Sequence, residues 1–261
     1  MDTRFWGPSG WRFLHSVTFS YELERKSAVR TLFETLPFVL PCKFCRTSLQ
    51  EYMEVDPLDP ALESKDTLSR WLWRIHNKVN AKLRSQGQQV DPDPSFEKVQ
   101  TFYEDLLSAG CSKTEFPGWD FLFSIADLHP LSSIARKSVP MPGFTEATLA
   151  ECRTVAEKNK WNCMTPEERM VPYGKFWKSI KGVLPFKEWR AVWIPPGNAT
   201  LLKTKKKTLS WLWSQRRALE NELNLINRCK FSSLCKTLKV HRSGCSKSKR
   251  ARTCRKIKSS N

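Results

Sequence analysis

Apolar residues along the first 110 positions recur at helical spacing. Trp11, Leu14, His15 and Thr18 fall at i, i+3, i+4 and i+7, with Phe13 and Val17 widening the face, so a first helix is predicted there. A second runs from Glu24 to Thr35 and ends before Leu36-Pro37. A third opens at Cys42 behind Pro41 and reaches about Tyr52. After the Pro-rich stretch 56–60, Asp66 or Thr67 caps a fourth helix carrying Trp71 to Asn80, and Phe96 to Leu107 makes a short fifth. The prediction is all-α: a four-helix bundle with a short fifth helix over residues 1–110.

Three short patterns return later in the same order. Trp11-x-Phe13-Leu14-x-Ser16-Val17 is echoed by Trp119-x-Phe121-Leu122-x-Ser124-Ile125, Leu36-Pro37-Phe38 by Leu184-Pro185-Phe186, and Thr67-Leu68-Ser69-Arg70-Trp71-Leu72-Trp73 by Thr208-Leu209-Ser210-Trp211-Leu212-Trp213. A second, degenerate bundle is therefore expected over 114–227, with an insertion near 128–172. It keeps the apolar scaffold. Where the first copy has Cys42 to Cys45 it has Lys187-Glu188-Trp189, and where the first has His76 to Asn80 it has Gln215 to Leu219. The third region, 228–261, has 12 Lys+Arg, no acids and four cysteines, and reads as a basic flexible tail.

The net charge of +18 is a C-terminal property: residues 201–261 hold a net +16, and the first 200 only +2. The cluster Lys203 to Lys207 and the run Lys247 to Lys258 suit phosphate backbones or acidic partners, so nucleic acid is a possible partner of the tail. No aromatic follows Phe231, which speaks against base stacking. No apolar run is long enough to span a membrane, and the N-terminus resembles neither a secretory nor a transit leader.

Nine cysteines without such a leader point to metal or redox chemistry. Cys42-Lys43-Phe44-Cys45 is the single CxxC, so a two-knuckle zinc site is unsupported and a redox-active dithiol is the better reading. A CxxC at a helix start favours the thiolate. His76 and Asn80 share one helix face with Asn77 and Trp73, a wall for a planar hydrogen-bonding ligand such as a flavin, and His15 pairs with Trp11 in the same way on the first helix. Cys111 reads as a small buried hydrophobe or a staple, and Cys152 with Cys163 as a possible pair. Cys229, Cys235, His241 and Cys245 have zinc-ligand types at loose spacing; a shuttle disulfide or solvated thiols compete with zinc there.

Trp6-Gly7-Pro8-x-x-Trp11-x-x-Leu14-His15, then Cys42-x-x-Cys45, then Trp71-Leu72-x-x-x-His76-Asn77-x-Val79-Asn80-x-x-Leu83 resemble the Erv/ALR flavin-dependent sulfhydryl oxidases, over residues 5–85. The resemblance implies a helical bundle holding FAD. It makes Cys45 the flavin-proximal cysteine and Cys42 the one that exchanges with substrate. Gly7, Trp11, His15, Tyr21, Trp73, His76, Asn77, Asn80, Leu83 and Arg84 become cofactor contacts, with Arg84 in place of the usual lysine near the phosphates. Ser48 stands where the family commonly has a histidine. The implied reaction takes protein dithiols and molecular oxygen to disulfides and hydrogen peroxide. A homodimer, or an intramolecular pseudo-dimer made by the second copy, is implied as well. The short N-terminus resembles the minimal forms of large DNA viruses, which implies work in the host cytoplasm or virion, with the mitochondrial intermembrane space as the cellular alternative.

Overall fold

The computed structural model describes residues 1–111, 115–136, 139–197, 202–223 and 230–242. Among them there are helices and no strands. Their order is α1 (Thr3–Phe19), a 3-10 turn (Leu23–Arg25), α2 (Lys26–Val39), α3 (Lys43–Val55), α4 (Leu58–Ala61), α5 (Lys65–Ser85), α6 (Phe96–Ser108), α7 (Trp119–Asp127), α8 (Ser133–Arg136), α9 (Glu146–Glu151), α10 (Val155–Lys160), α11 (Pro166–Val183), α12 (Lys187–Val192), α13 (Lys205–Glu222) and α14 (Phe231–His241).

Local sequence explains most helix ends. Asp2 caps α1 by accepting from the Arg4 amide. Ser64, rather than Asp66 or Thr67, caps α5, and Thr67 completes a capping box with it. Helix α2 continues one turn further than predicted, through Pro37. A proline in the last turn forgoes only its own N–H bond, and burial of Leu36, Pro37 and Val39 outweighs that loss. Cys42 is the N-cap of α3, so Pro41 lies one residue outside the helix.

One apolar core runs continuously from Met1 to Leu238. Helix α1 packs on α5, α6 and α7, and α2 packs on α3 and along α11. Helix α7 meets α13 and α14, and α10 lies on α3. The α1–α7 crossing is reciprocal. A Cβ on Gly10 would meet the Phe121 ring at 3.0 Å, and a Cβ on Gly118 would meet Phe13 at 3.1 Å. Phe13 and Phe121 face each other at 6.3 Å. Residue i of one helix touches j of the other, and j touches i, which is the arrangement of an isologous interface.

The two halves repeat in detail. Helices α2 and α11 end at Leu40 and Leu184 with the same extended cap backbone (φ −51°, ψ 138° and φ −58°, ψ 134°). Arg46 donates to the Leu40 carbonyl at 2.8 Å, and Arg190 donates to the Leu184 carbonyl at 2.7 Å. Phe33 meets Trp71 edge-on at 5.1 Å, as Trp177 meets Trp211 at 5.4 Å. Leu40-Pro41 therefore corresponds to Leu184-Pro185, and the sequence echo of Leu36-Pro37-Phe38 with Leu184-Pro185-Phe186 is out by one helical turn. Phe186 and Trp189 stand at the places of Cys42 and Cys45.

Part of the basic C-terminal region is helical. In α14, Leu234 and Leu238 are buried, an apolar stripe that the surrounding charge concealed. The buried Asp127 at the end of α7 accepts two bonds from Arg242, both at 2.6 Å, and pairs with Lys205 at 2.5 Å. His241 stacks on Phe5 at 4.3 Å. Asp127→Asn keeps the shape and removes the charge, and is expected to cost about 2 kcal/mol, less than a fully buried pair because both cations are partly wet. Limited trypsin digestion should then release α14 before the bundle is cut; unchanged digestion would show that the staple is idle. A pocket of about 490 Å³ beside it is lined by Ser132, Ser133, Lys203, Lys205, Lys206 and Arg242, among others, and shares no residue with the cysteine turn. Cys229, Cys245, Cys254 and the run from Lys247 lie outside the described residues.

Candidate active site

Helix α3 begins immediately after Cys42, so both sulfurs of the CxxC sit in its first turn. Cys42 is 6 % exposed and Cys45 is half-buried. Two segments bracket the turn: the Met1 ammonium donates to the Pro41 carbonyl at 3.4 Å, and Lys43 donates to the Val139 and Pro140 carbonyls at 3.0 and 2.9 Å. Arg46 follows Cys45 and is buried against the pair. Burial disfavours its charge, and the two cysteines work in the opposite direction. Its Nε has no partner. A guanidinium in that place favours thiolate over thiol.

Helix α3 is tied to α5 at two points. Ser48 takes the Lys82 ammonium, and the Tyr52 hydroxyl donates to the Lys78 carbonyl at 3.4 Å. These ties fix α3, and the cysteine turn that opens it, on the C-terminal half of α5. On the α1 side of that segment, Trp11 stacks on His76 with centroids 3.8 Å apart and planes 12° apart. His15 Nε2 lies 3.2 Å from His76 Nδ1, and one of the two nitrogens donates to the other. Tyr103 of α6 covers the His15 ring at 5.1 Å. His15 Nδ1 is buried and has no protein partner.

Burial, then His76, pushes His15 down to about 3; burial, opposed by Asp93, pushes His76 down to about 4. Both rings are neutral near pH 7. A histidine kept neutral in the fold contributes stability that is complete above its unfolded value near 6.5 and is lost as pH falls toward the folded value. Between pH 7 and 5 the loss is about 2 kcal/mol for His15 and somewhat less for the wetter His76. Denaturant melts should show that slope, and His15→Phe should remove roughly half of it. An unchanged slope in the variant would contradict the buried neutral pair.

The other predicted residues divide. Asn80 donates to Asp93 at 2.8 Å, and Arg84 pairs with the same carboxylate and donates to the Asp91 carbonyl at 3.2 Å. Asn77 and Leu83 are half-buried on the same helix. Gly7 borders open space. Trp73 turns away toward α6, donating to the Pro94 carbonyl at 3.0 Å and packing edge-on against Phe96. Tyr21 is buried with its hydroxyl donated to the Leu62 carbonyl at 2.8 Å, tying the end of α1 to α4. The cluster thus gathers Trp11, His15, His76, Asn80 and Arg84, and leaves Tyr21 and Trp73 in packing positions. Sequence reading missed Arg46, Lys82, Asp93 and Tyr103. Arg46 adjoins the CxxC and Lys82 is three residues past Val79, but nothing local marks Asp93 or Tyr103.

At the corresponding place in the second half, the same scaffold carries other groups. With Trp211 at the place of Trp71, the expected pairing of His76–Asn80 with Gln215–Leu219 is out by one residue: Arg216, in the position of His76, lies over the Trp119 ring at 5.6 Å and bonds the buried Glu220, in the position of Asn80, at 2.7 Å. Phe123 replaces His15. Phe186 packs edge-on against the fully buried Trp189 at 4.8 Å. Aromatic bulk fills the cysteine positions.

The sequence profile of the Erv1/Alr family matches residues 8–101. The chain is 33 % identical over 87 residues to the mitochondrial FAD-linked sulfhydryl oxidase of Saccharomyces cerevisiae, covering 32 % of this chain and 45 % of that one. It is 36 % identical over 85 residues to a probable FAD-linked sulfhydryl oxidase of Acanthamoeba polyphaga mimivirus, covering 31 % and 59 %. It is also 32 % identical over 111 residues to a putative FAD-linked sulfhydryl oxidase of Invertebrate iridescent virus 6, covering 39 % of this chain and 97 % of the relative. The chain therefore spans about half the length of the first two relatives and nearly all of the third. No solved structure matches. The matched stretch contains the Trp11–His15 helix, the cysteine turn and the His76–Arg84 segment, in the order in which the fold assembles them. The chain belongs to the Erv1/Alr family.

Proposed function

We propose that residues 1–110 are an FAD-dependent sulfhydryl oxidase domain acting on protein dithiols, and that 114–227 is a second bundle without a site of its own. The observation that supports the first part is that α3, which opens with the CxxC, is tied by Ser48–Lys82 and Tyr52–Lys78 to α5, the helix that carries His76. The residues present suit FAD. A buried imidazole nitrogen of His15 lacks a protein partner, Trp11 and His76 form a flat aromatic stack beside it, and Lys82 and Arg84 place cations about two turns further along α5.

In this reading a substrate thiolate attacks Cys42 Sγ, the Cys42–Cys45 bond breaks, and Cys45 leaves as a thiolate beside Arg46. The second substrate thiol attacks its own sulfur in the mixed disulfide, releasing the product disulfide and the Cys42 thiol. When bound, FAD supplies the two-electron acceptor that returns the pair to the disulfide and passes the electrons to oxygen as hydrogen peroxide. Trp11, His15, His76, Asn77 and Asn80 would hold it, and neutral His15 and His76 would bring no positive charge of their own to it. Among the described residues no helix is long and apolar enough to cross a membrane. The viral relatives favour host cytoplasm or virion over the mitochondrial intermembrane space, although the yeast relative is a mitochondrial protein.

The test is direct. The purified chain should be yellow with absorption near ~450 nm, release FAD on denaturation, and consume oxygen with a dithiol. A colourless chain that neither binds added FAD nor consumes oxygen would overturn the reading.

A further inference from the structure

The insertion between the two halves carries a second pair of sulfurs. Cys152 is the C-cap of α9, and Cys163 follows α10 two residues after its cap. Both are half-buried. Their side chains are in hydrogen-bonding contact, and the Cys163 thiol donates to the Lys158 carbonyl at 3.4 Å. The ammonium of Lys158 feels both sulfurs. Cys111, by contrast, meets the Glu188 side chain and no sulfur.

Beside Cys163 stands Asn162, with φ 56°, the one non-glycine residue among the described residues with a positive φ. Asparagine tolerates that region, but it persists only where surrounding contacts hold it. Asn162 Oδ1 accepts from Arg46 at 2.6 Å and from Arg169 at 3.0 Å, and its Nδ2 donates to the Val139 carbonyl at 2.7 Å. Helix α10 is fixed on α3 by Thr47 donating to the Lys160 carbonyl at 2.9 Å and Gln50 to the Ala156 carbonyl at 3.0 Å. The sulfur pair therefore closes a short loop whose far end holds the guanidinium next to Cys45. Arg190, the counterpart of Arg46, instead donates to the Leu184 and Pro185 carbonyls.

We infer that Cys152 and Cys163 form a second disulfide of this protein, made by exchange with the Cys42–Cys45 disulfide of another copy, and that it clasps the insertion so that Asn162 stays on Arg46. The thiolate of one of the pair attacks Cys42 Sγ of the donor copy and expels Cys45 as a thiolate. The other then attacks its partner's sulfur in the mixed disulfide, closes the Cys152–Cys163 bond and releases Cys42. Two electrons and two protons pass from the clasp thiols to the donor pair. The oxidant rests on the oxidase reading; the clasp itself does not.

The full chain is purified, acid-quenched, blocked with N-ethylmaleimide and digested without reduction. A linked Cys152–Cys163 peptide is the expected result. Both residues blocked while Cys42–Cys45 is linked overturns the clasp and leaves the oxidase reading standing. In Cys45→Ser the clasp thiols are expected to be blocked, and oxidised glutathione should link them; linkage without it overturns the part played by Cys42–Cys45. A clasp that forms with oxidised glutathione while wild-type Cys42 and Cys45 stay blocked supports the pair and counts against the oxidase. In Cys152→Ser the melting temperature should fall by about 5 °C, and alkylation of the reduced CxxC by iodoacetamide at pH 7 should slow about threefold. Unchanged alkylation would overturn the link to Arg46, since a merely structural staple moves only the melting temperature.

Discussion

Cys45→Ser is expected to lower the dithiol-dependent oxygen consumption proposed for this chain by roughly a thousandfold or more, while the fold survives. Cys45 lies in the first turn of α3 and is half-buried, so an oxygen in place of its sulfur fits without a cavity. The variant keeps Cys42, which attacks a disulfide-bonded probe and stays on it because the resolving sulfur is gone. A stable mixed disulfide on Cys42, mapped by peptide mass, is the expected product. Cys42→Ser is equally inactive and carries the mixed disulfide on Cys45, more slowly if Cys42 is the exchanging residue. Cys42 is the more buried of the two, so substrate must displace some of what covers the turn. Undiminished turnover in Cys45→Ser would end the assignment of chemistry to this pair.

Gly182→Ala should destabilise the protein by about 2 kcal/mol, although glycine to alanine inside a helix ordinarily gains up to about 1. The added methyl would sit 2.6 Å from Ala28 Cβ, where α11 crosses α2. That crossing joins the two halves, and its partner is another small residue, so the backbones approach too closely for two methyls. Ala28→Gly in the same chain should restore most of the loss. The melting temperature should fall by about 6 °C in the single variant and return in the double. Independent halves would show neither the loss nor the rescue. Failure to rescue would place the strain elsewhere and weaken the view that the second bundle covers the face of the first.

Much of the candidate site was readable because its residues are close in sequence. Cys42 and Cys45 share one turn, and His76, Asn77 and Asn80 share one helix face, so periodicity alone groups each set. Tyr21 and Trp73 show the limit of that logic: each lies near a motif, yet the Leu62 carbonyl takes one polar atom and the Pro94 carbonyl the other. The echo of Leu36-Pro37-Phe38 with Leu184-Pro185-Phe186 misled by one turn, because identical tripeptides carry no information about where a helix ends. The Leu40 and Leu184 caps, each held by an arginine six residues on, settle that register.

From its sequence alone the chain determined its helical class, the turn bearing the sulfur pair, the face bearing His76, and that 114–227 contains neither a CxxC nor an HNxVN segment. These follow from local spacing, since a helix turns residues three and four apart onto one side whatever surrounds them. Tertiary packing decided the rest: that Trp11 lies on His76, that His15 is buried and neutral, that Arg46 is gripped by Asn162 of a distant insertion, and that the halves meet through Gly10 and Gly118. Such contacts join residues tens of positions apart, and they exist only once a shared core has brought the helices together.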